Sequence, residues 1–348
     1  MSKILITGGL GYIGSHTCLL FLENGYEVIA YDLLINSELK TFYKIQALLR
    51  EKNLDLIKKF SFVKGDIRNK KLLSEVFHRN KSIGKPITGV IHFAGLKSVQ
   101  ISINEPLLYW DCNVNGTINL LEIMENNNCK NIVFSSSATV YGESKNNLLD
   151  EHTELNPCNP YGSTKLAVEN ILKNLSKSKK NWRIGILRYF NPAGAHPSGI
   201  LGEFPKSNLE NLFPKICDVA AKKKEKIFLY GKNWPTKDGT CIRDYLHVMD
   251  LSEAHLLTYE HLITNKEFLI FNVGSGKGTS VLELLKIFED TNKCNIPFEF
   301  ADVREGDVSR LVADTKLITS KLNWSLKRDL FEICKSGWSF YKKKHNIF

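Results

Sequence analysis

The sequence predicts an α/β protein built on a doubly wound parallel sheet, with a smaller mixed α/β lobe toward its C terminus. Three observations carry this. Lys3–Thr7 is a short apolar run that opens directly into the glycine loop Gly8–Gly14. Strand-like runs then alternate with helix-length segments as far as Tyr189. An acid, Asp32, closes the second run. Strands alternating with helices imply a parallel sheet covered on both faces.

The elements follow in order. After the glycine loop a helical stretch extends to Asn24, and Gly25 closes it. Glu27–Tyr31 reads as the second strand, completing a βαβ unit. Val63–Asp66, Val90–Phe93, Asn131–Ser135 and Ile184–Tyr189 read as further strands. Val114–Asn126 and Pro160–Leu175 read as helices. Asn159 is a good N-cap and Pro160 a good first helical residue. From Pro192 to Asn211 the chain is rich in Gly, Pro, Ser and Asn and reads as loop. Beyond it the βα rhythm fades, and a smaller lobe is expected at the carboxyl edge of the sheet, where open α/β sheets bind ligands.

Composition narrows the function classes. At 348 residues the chain is long for one core and suits two lobes. No apolar run approaches the roughly 18 residues of a membrane span. The first residues lack the layout of a secretion signal, so a cytoplasmic location is expected. The eight cysteines form no CxxC pair and suggest neither a zinc site nor a disulfide framework, so no metal is expected. A net charge of +10 raises nucleic acid as a partner, but no basic stripe is interleaved with aromatics. The clusters Lys222–Lys226, Lys177–Lys180 and Lys342–Lys344 read as solvated faces.

The glycine loop carries the first chemistry. Gly8, Gly11 and Gly14 are spaced GxxGxxG. A tight turn needs a residue without Cβ, and a pyrophosphate needs bare backbone and a helix N-terminus. Asp32 lies 18 residues past Gly14, where an acid meets the adenosine ribose diol. Leu33, Leu34 and Ile35 follow, with no arginine for a 2′-phosphate. NAD is therefore expected rather than NADP. Residues 1–191, with a return segment near 236–265, are read as a Rossmann-type NAD-binding domain, and 192–348 as the substrate lobe.

Tyr-x-x-x-Lys occurs at Tyr141/Lys145 and at Tyr161/Lys165. The first lies in a turn-like stretch. The second starts a helix, where residues four apart share a face. A tyrosine acts as a base near neutral pH only if its pKa falls from about 10; a drop of about 3 units costs roughly 4 kcal/mol. One positive charge at about 4 Å in an effective dielectric near 20 supplies about that much. Lys165 and an oxidised nicotinamide are the two expected charges, with Tyr161 as proton acceptor. Ser137, at the end of a buried strand, is placed to hydrogen-bond the reacting oxygen. His92, His196 and His247 are read as structural hydrogen-bonders.

Together these residues resemble the extended short-chain dehydrogenase/reductase superfamily, and within it the UDP-glucose 4-epimerase family. The resemblance runs through TGGLGYIGSH, GDIRN, HFAGLK, NVNGT, FSSSATVYG, NPYGSTK, LRYFNPAGAHPSG, DGTCIRDYLHVMDL and REGD, in order over nearly the whole chain. It implies that Tyr12, Ile13, Asp32, Asn36, Ser37, Asp66, Ile67, Lys97 and Asn113 contact NAD. Phe93 and Ala94 would line its path, and Lys165 would hold the nicotinamide ribose. Ser137 and Tyr161 would flank the sugar 4-hydroxyl. Phe190, Asn191, Asn211, Leu212, Arg243 and Arg304 would grip the UDP-hexose, with Asp307 near the ribose. The implied reaction is oxidation at C4, rotation of the 4-keto sugar and reduction on its opposite face, in a homodimer packed through Val114–Asn126 and Pro160–Leu175.

Two positions depart from the pattern. Cys112 replaces an Asn found in some members, and Leu311 stands where a Tyr or a smaller residue sets room for the C2 substituent. Acceptance of N-acetylhexosamines therefore stays open. Two other readings share the cofactor motif. A nucleotide-sugar 4,6-dehydratase needs an acid pair after the strand-end serine, where this chain has Ala138 and Thr139. A non-catalytic NAD(H) sensor has no need of Ser137, Tyr161 and Lys165.

Overall fold

The computed structural model describes residues 2–204 and 211–347. In chain order the strands are β1 (Lys3–Thr7), β2 (Glu27–Asp32), β3 (Phe60–Lys64), β4 (Ile87–His92), β5 (Asn131–Ser137), β6 (Arg183–Tyr189), β7 (Asn191–Ala193), β8 (Ile227–Tyr230), β9 (Ile242–His247), β10 (Phe268–Val273), β11 (Gly278–Ser280), β12 (Phe298–Ala301) and β13 (Arg310–Leu311). Two compact units result. The first holds the chain up to Ser137 with Asn159–Arg188 and Ser252–Phe271. The second holds Ala138–Cys158, Tyr189–Leu251 and the chain from Asn272.

The first unit is built on a sheet in the order β10-β6-β5-β4-β1-β2-β3. β2, β1 and β4 pair in parallel, as do β2 with β3 and β4 with β5. The chain winds outward from β1 to β3 and then returns to β4 on the other side of β1. That reversal opens a crevice at the carboxyl ends of the strands. Leu5, Ile29, Val90, Phe134 and Ile184 form its core with the helices, and all are nearly or wholly buried. Tyr12–Glu23, Gly116–Asn126 and Pro160–Ser178 are helical, as the sequence predicts. The Asn159 side chain caps the last of these, accepting from Gly162 N–H at 2.9 Å.

Two boundaries differ from expectation. The strand predicted over Val63–Asp66 is Phe60–Lys64. It is an edge strand paired only with β2, so its burial is partial and its apolar signal weak. Asp66 lies beyond it in the loop, where its carbonyl accepts from the Tyr31 hydroxyl at 2.9 Å. The helix predicted from Val114 is entered earlier, through a π-helical turn over Trp110–Asn115. Such turns re-aim side chains and recur at functional sites.

In the second unit, β9 takes β11 and β13 on its two sides, and β7 also pairs with β9 in parallel. β8 and β12 form a separate parallel pair. Phe213, Ile216, Leu284, Phe288 and Ile333 make its core. Ala138–Cys158 belongs here because Leu149 N–H donates to the Val312 carbonyl at 2.9 Å and Asp314 N–H donates to the Leu149 carbonyl at 2.7 Å. The stretch predicted as loop from Pro192 to Asn211 begins with β7, and residues 205–210 of it lie outside the described residues. All eight cysteines are unpaired. Among the described residues no group of side chains could hold a metal ion, and no helix is long and apolar enough to cross a membrane.

Candidate active site

Gly8 follows β1 in the left-handed region, φ +68°, and its N–H donates to the Tyr31 carbonyl at 2.8 Å. A Cβ there would meet Ala94 N at 2.9 Å, and one at Gly14 would lie 2.2 Å from the Gly8 carbonyl oxygen. Only bare backbone fits this turn. Tyr12 and Ile13 stand in the first turn of the helix that follows, both half-buried. Asp32 ends β2 with 8% exposure. It accepts from Leu10 N–H at 3.0 Å, Leu34 N–H at 2.8 Å and the Ser37 hydroxyl at 2.6 Å. Ser37 is buried and Asn36 exposed beside it.

The remaining residues of this group are placed unevenly. Phe93 and Ala94 follow β4, and the Phe93 ring lies against His255 at 4.7 Å. Lys97 is exposed on the same loop. Asp66 is gripped by Arg68, whose Nε donates at 3.0 Å and whose guanidinium holds the carboxyl below its ordinary range. Ile67 packs into the core against Gly116. Asn113, on the π-helical turn, spends both amide hydrogens on the protein, donating to the Leu96 carbonyl and to Thr164 Oγ1 at 3.1 Å each. It ties the loop after β4 to the Pro160–Ser178 helix.

Ser137, Tyr161 and Lys165 come together at the end of β5. Ser137 and Tyr161 share a side-chain hydrogen bond. Lys165 donates to the Ser135 carbonyl at 2.8 Å, with its ammonium 4.9 Å from the Phe134 ring and 5.8 Å from the Tyr161 ring. Tyr161 N–H donates to Ser102 Oγ at 3.2 Å, a support that no local pattern signals. Burial pushes the Tyr161 phenol up to about 12, opposed only by the Ser137 hydrogen bond, and pushes Lys165 down to about 8. In the chain alone, desolvation outweighs the lysine.

The second Tyr-x-x-x-Lys is structural. Tyr141 is buried and donates to Asn272 Oδ1 at 2.7 Å, while Lys145 is exposed on a turn. The histidines are hydrogen-bonded too. His92 lies between Thr7 Oγ1 at 2.6 Å and Thr117 Oγ1 at 2.9 Å, and burial pushes its pKa down to about 3. His196 pairs with Ser198, and His247 with Ser336.

In the second unit, Phe190 is buried, and its N–H donates to the Val273 carbonyl at 3.1 Å. Asn191 opens β7 opposite Tyr245 on β9. Arg243 on β9 faces Leu311 of β13 in register. Arg304 lies 4.5 Å over the Tyr230 ring and donates to Asp307 at 3.0 Å. Asn211 bonds Glu203 and precedes the Leu212–Ala220 helix. Asp244, wholly buried, was not legible beforehand. It accepts from Ser275 N–H at 2.6 Å, Gly276 N–H at 3.0 Å and Ala313 N–H at 3.1 Å, so it holds two loops beside Arg243.

Known proteins of this geometry decide the family. The family model described as GDP-mannose 4,6 dehydratase matches residues 5–336. A UDP-glucose 4-epimerase of Bacillus subtilis is 41% identical over 343 residues, covering 99% of this chain and 98% of that enzyme. This chain belongs to the UDP-glucose 4-epimerase family. The Bifidobacterium longum UDP-glucose 4-epimerase, solved with NAD+ and UDP, superposes with a TM-score of 0.92 at 37% identity over 100% of both chains. The Stenotrophomonas maltophila enzyme, solved with NAD and a formylated UDP-arabinopyranose, gives 0.92 at 36% identity, again over 100% of both. The 4-epimerase relatives, together with Ala138 and Thr139 after β5, set the dehydratase reading aside.

Proposed function

We infer that this chain interconverts UDP-glucose and UDP-galactose, using NAD that it retains through turnover. The observation that carries this is the Ser137–Tyr161–Lys165 group at the end of β5, in a chain that aligns end to end with 4-epimerases.

The glycine loop fits a dinucleotide. Its turn excludes any Cβ at Gly8 and Gly14, and the helix beginning at Tyr12 presents its N-terminus to a pyrophosphate. Asp32 accepts from Leu10 N–H, Leu34 N–H and the Ser37 hydroxyl, which fix its carboxylate at the end of β2, where a ribose hydroxyl would be bound. Lys165 would hold the nicotinamide ribose. When bound, NAD supplies the hydride acceptor at C4 of the sugar and a positive charge that offsets the burial of Tyr161.

Tyr161 takes the proton of the 4-hydroxyl on its phenol oxygen and returns it after the sugar has turned over. Ser137 holds the reacting oxygen through its hydroxyl. Lys165, fixed on the Ser135 carbonyl, keeps its charge beside the phenol. Arg243 and Arg304 take the diphosphate, a use suited to planar forked donors. Asn191, Asn211 and Leu212 bind the uridine end, and Asp307 the ribose. Strong UDP binding leaves the hexose loosely held, as rotation of a 4-keto sugar requires.

The enzyme acts as a homodimer in the cytoplasm, with no nucleic acid or membrane partner. Leu107, Trp110 and Ile118 are exposed apolar side chains on and before the Gly116–Asn126 helix, which supports burial against a second copy. Eight unpaired cysteines suit a reducing compartment. The test is to incubate the purified chain with UDP-galactose and no added NAD. UDP-glucose should appear. No conversion, even with NAD added, would overturn the reading.

A further inference from the structure

Three consecutive serines end β5, and each is held differently. The Ser135 hydroxyl pairs with His255 Nε2 at 2.8 Å, and the Ser135 carbonyl holds Lys165. Ser137 meets Tyr161. Ser136 donates to Glu169 Oε1 at 2.5 Å. Glu169 lies four residues after Lys165 and eight after Tyr161 on the Pro160–Ser178 helix, so the three side chains descend one stripe of it.

Glu169 is not an ordinary helix-surface acid. Its side chain is 4% exposed, and it forms a forked pair with Arg188 of β6, whose side chain is 3% exposed. Arg188 Nε reaches both carboxylate oxygens at 3.1 Å, and a terminal nitrogen reaches Oε2 at 2.7 Å. Burying two charges costs more than their attraction returns unless the geometry is well satisfied, and hydrophobic side chains of similar volume would generally serve stability as well. Stability alone therefore gives no reason for this pair under the reactive group.

We propose that Glu169, anchored by Arg188, is a positioning residue that fixes the end of β5 through Ser136 and thereby sets Ser137 and Lys165 around Tyr161. The inference rests on the epimerase reading and names a part of that site that acts through Ser136 and Arg188. Three rungs then join helix and strand: Tyr161 to Ser137, Lys165 to the Ser135 carbonyl, and Glu169 to Ser136. The first two form the reactive group, and the third holds the strand at the height they require. Small errors in such a geometry cost rate steeply while leaving ground-state binding nearly unchanged.

Glu169 also adds a negative charge near Lys165. The charged and titratable groups facing Lys165 are Tyr161 and Glu169 from its own helix, Cys112 from the π-helical turn and His92 from β4, with Arg188 behind Glu169. Glu169 favours the ammonium form of Lys165. Its neutralisation makes Lys165 release its proton at lower pH.

The experiment uses the NAD-containing enzyme with UDP-galactose and three variants. Ser136→Ala removes the third rung and leaves both charges paired. It should lower kcat by roughly 10- to 100-fold with KM and bound NAD unchanged. Ser136→Thr, which keeps the hydroxyl, should restore most of the loss. Glu169→Gln should lower kcat similarly and move the alkaline fall of the kcat profile to lower pH. Should Glu169→Gln fail to fold, the two Ser136 variants decide. Wild-type kcat and pH profile in the folded variants would overturn the proposal, as would a loss of kcat explained by lost NAD or a lower melting temperature. Failure of the wild type itself to convert UDP-galactose would instead defeat the epimerase reading.

Discussion

The two units hold their functional side chains by different means. In the first, the positions come from regular backbone: Gly8 follows β1, Asp32 ends β2, Phe93 follows β4, and Ser137 ends β5. The side chains stand at strand ends because a parallel sheet puts them there. In the second, carboxylates, two of them buried, hold irregular segments. Asp244 ties down the loop at Ser275–Gly276 and the chain at Ala313. Glu143 takes Ser309 N–H at 3.0 Å, and Asp250 takes Lys327 N–H at 3.2 Å and Arg328 N–H at 3.0 Å. Precision in the first unit is a property of secondary structure. In the second it depends on single side chains.

The comparison is most easily broken at the base. Tyr161→Phe should lower kcat by about 10²- to 10⁴-fold while the protein keeps its NAD and its fold. Near-normal turnover would remove Tyr161 from the chemistry. The glycine loop comes next. Gly14→Ala puts a Cβ 2.2 Å from the Gly8 carbonyl, so the purified variant should retain little NAD, read by absorbance after denaturation. Asp32→Ala should reduce NAD retention more mildly, because the loop stays intact. In the second unit, Asp244→Ala strands several buried donors. It should cost about 2–5 kcal/mol of stability and weaken UDP binding by calorimetry, with NAD content unchanged. Lost NAD in that variant would blur the distinction between the units.

The smallest effect is on pH. Burial on folding lowers the Lys165 pKa from 10.5 to about 8. Between those values the unfolded chain binds the proton that the folded chain has released. This group's contribution to stability therefore rises with pH over that window. Tyr161 acts oppositely: its folded value of about 12 exceeds 10, so its contribution falls as pH rises from 10 to 12. Melting curves of the wild type and Lys165→Met should diverge accordingly, with the variant flatter between pH 8 and 10.5. Parallel curves would place Lys165 in a less buried setting.

The same contrast explains what the sequence could disclose. GxxGxxG, the acid at Asp32 and the capped helix carrying Tyr161 and Lys165 are local patterns whose spacing is their geometry. The edge strand β3 was misplaced because partial burial thins the apolar pattern. Asn113 reads as part of a cofactor motif, yet its amide hydrogens serve Leu96 and Thr164. Arg188 and Asp244 stand inside LRYFNPAGAHPSG and DGTCIRDYLHVMDL, but neither these motifs nor the position of Glu169 discloses burial or partners, since a buried charge and an exposed one are spelled alike. The desolvation of Tyr161 was not legible for a related reason. A charge pair can be read from spacing, whereas desolvation depends on everything packed around it.

In this reaction the hydride leaves C4 of the sugar and returns to the same carbon within one enzyme. UDP-galactose deuterated at C4, converted in ordinary water without added NAD, tests it directly. The account predicts UDP-glucose that keeps its deuterium at C4. Loss of the label to solvent, or its appearance at another carbon, would contradict it.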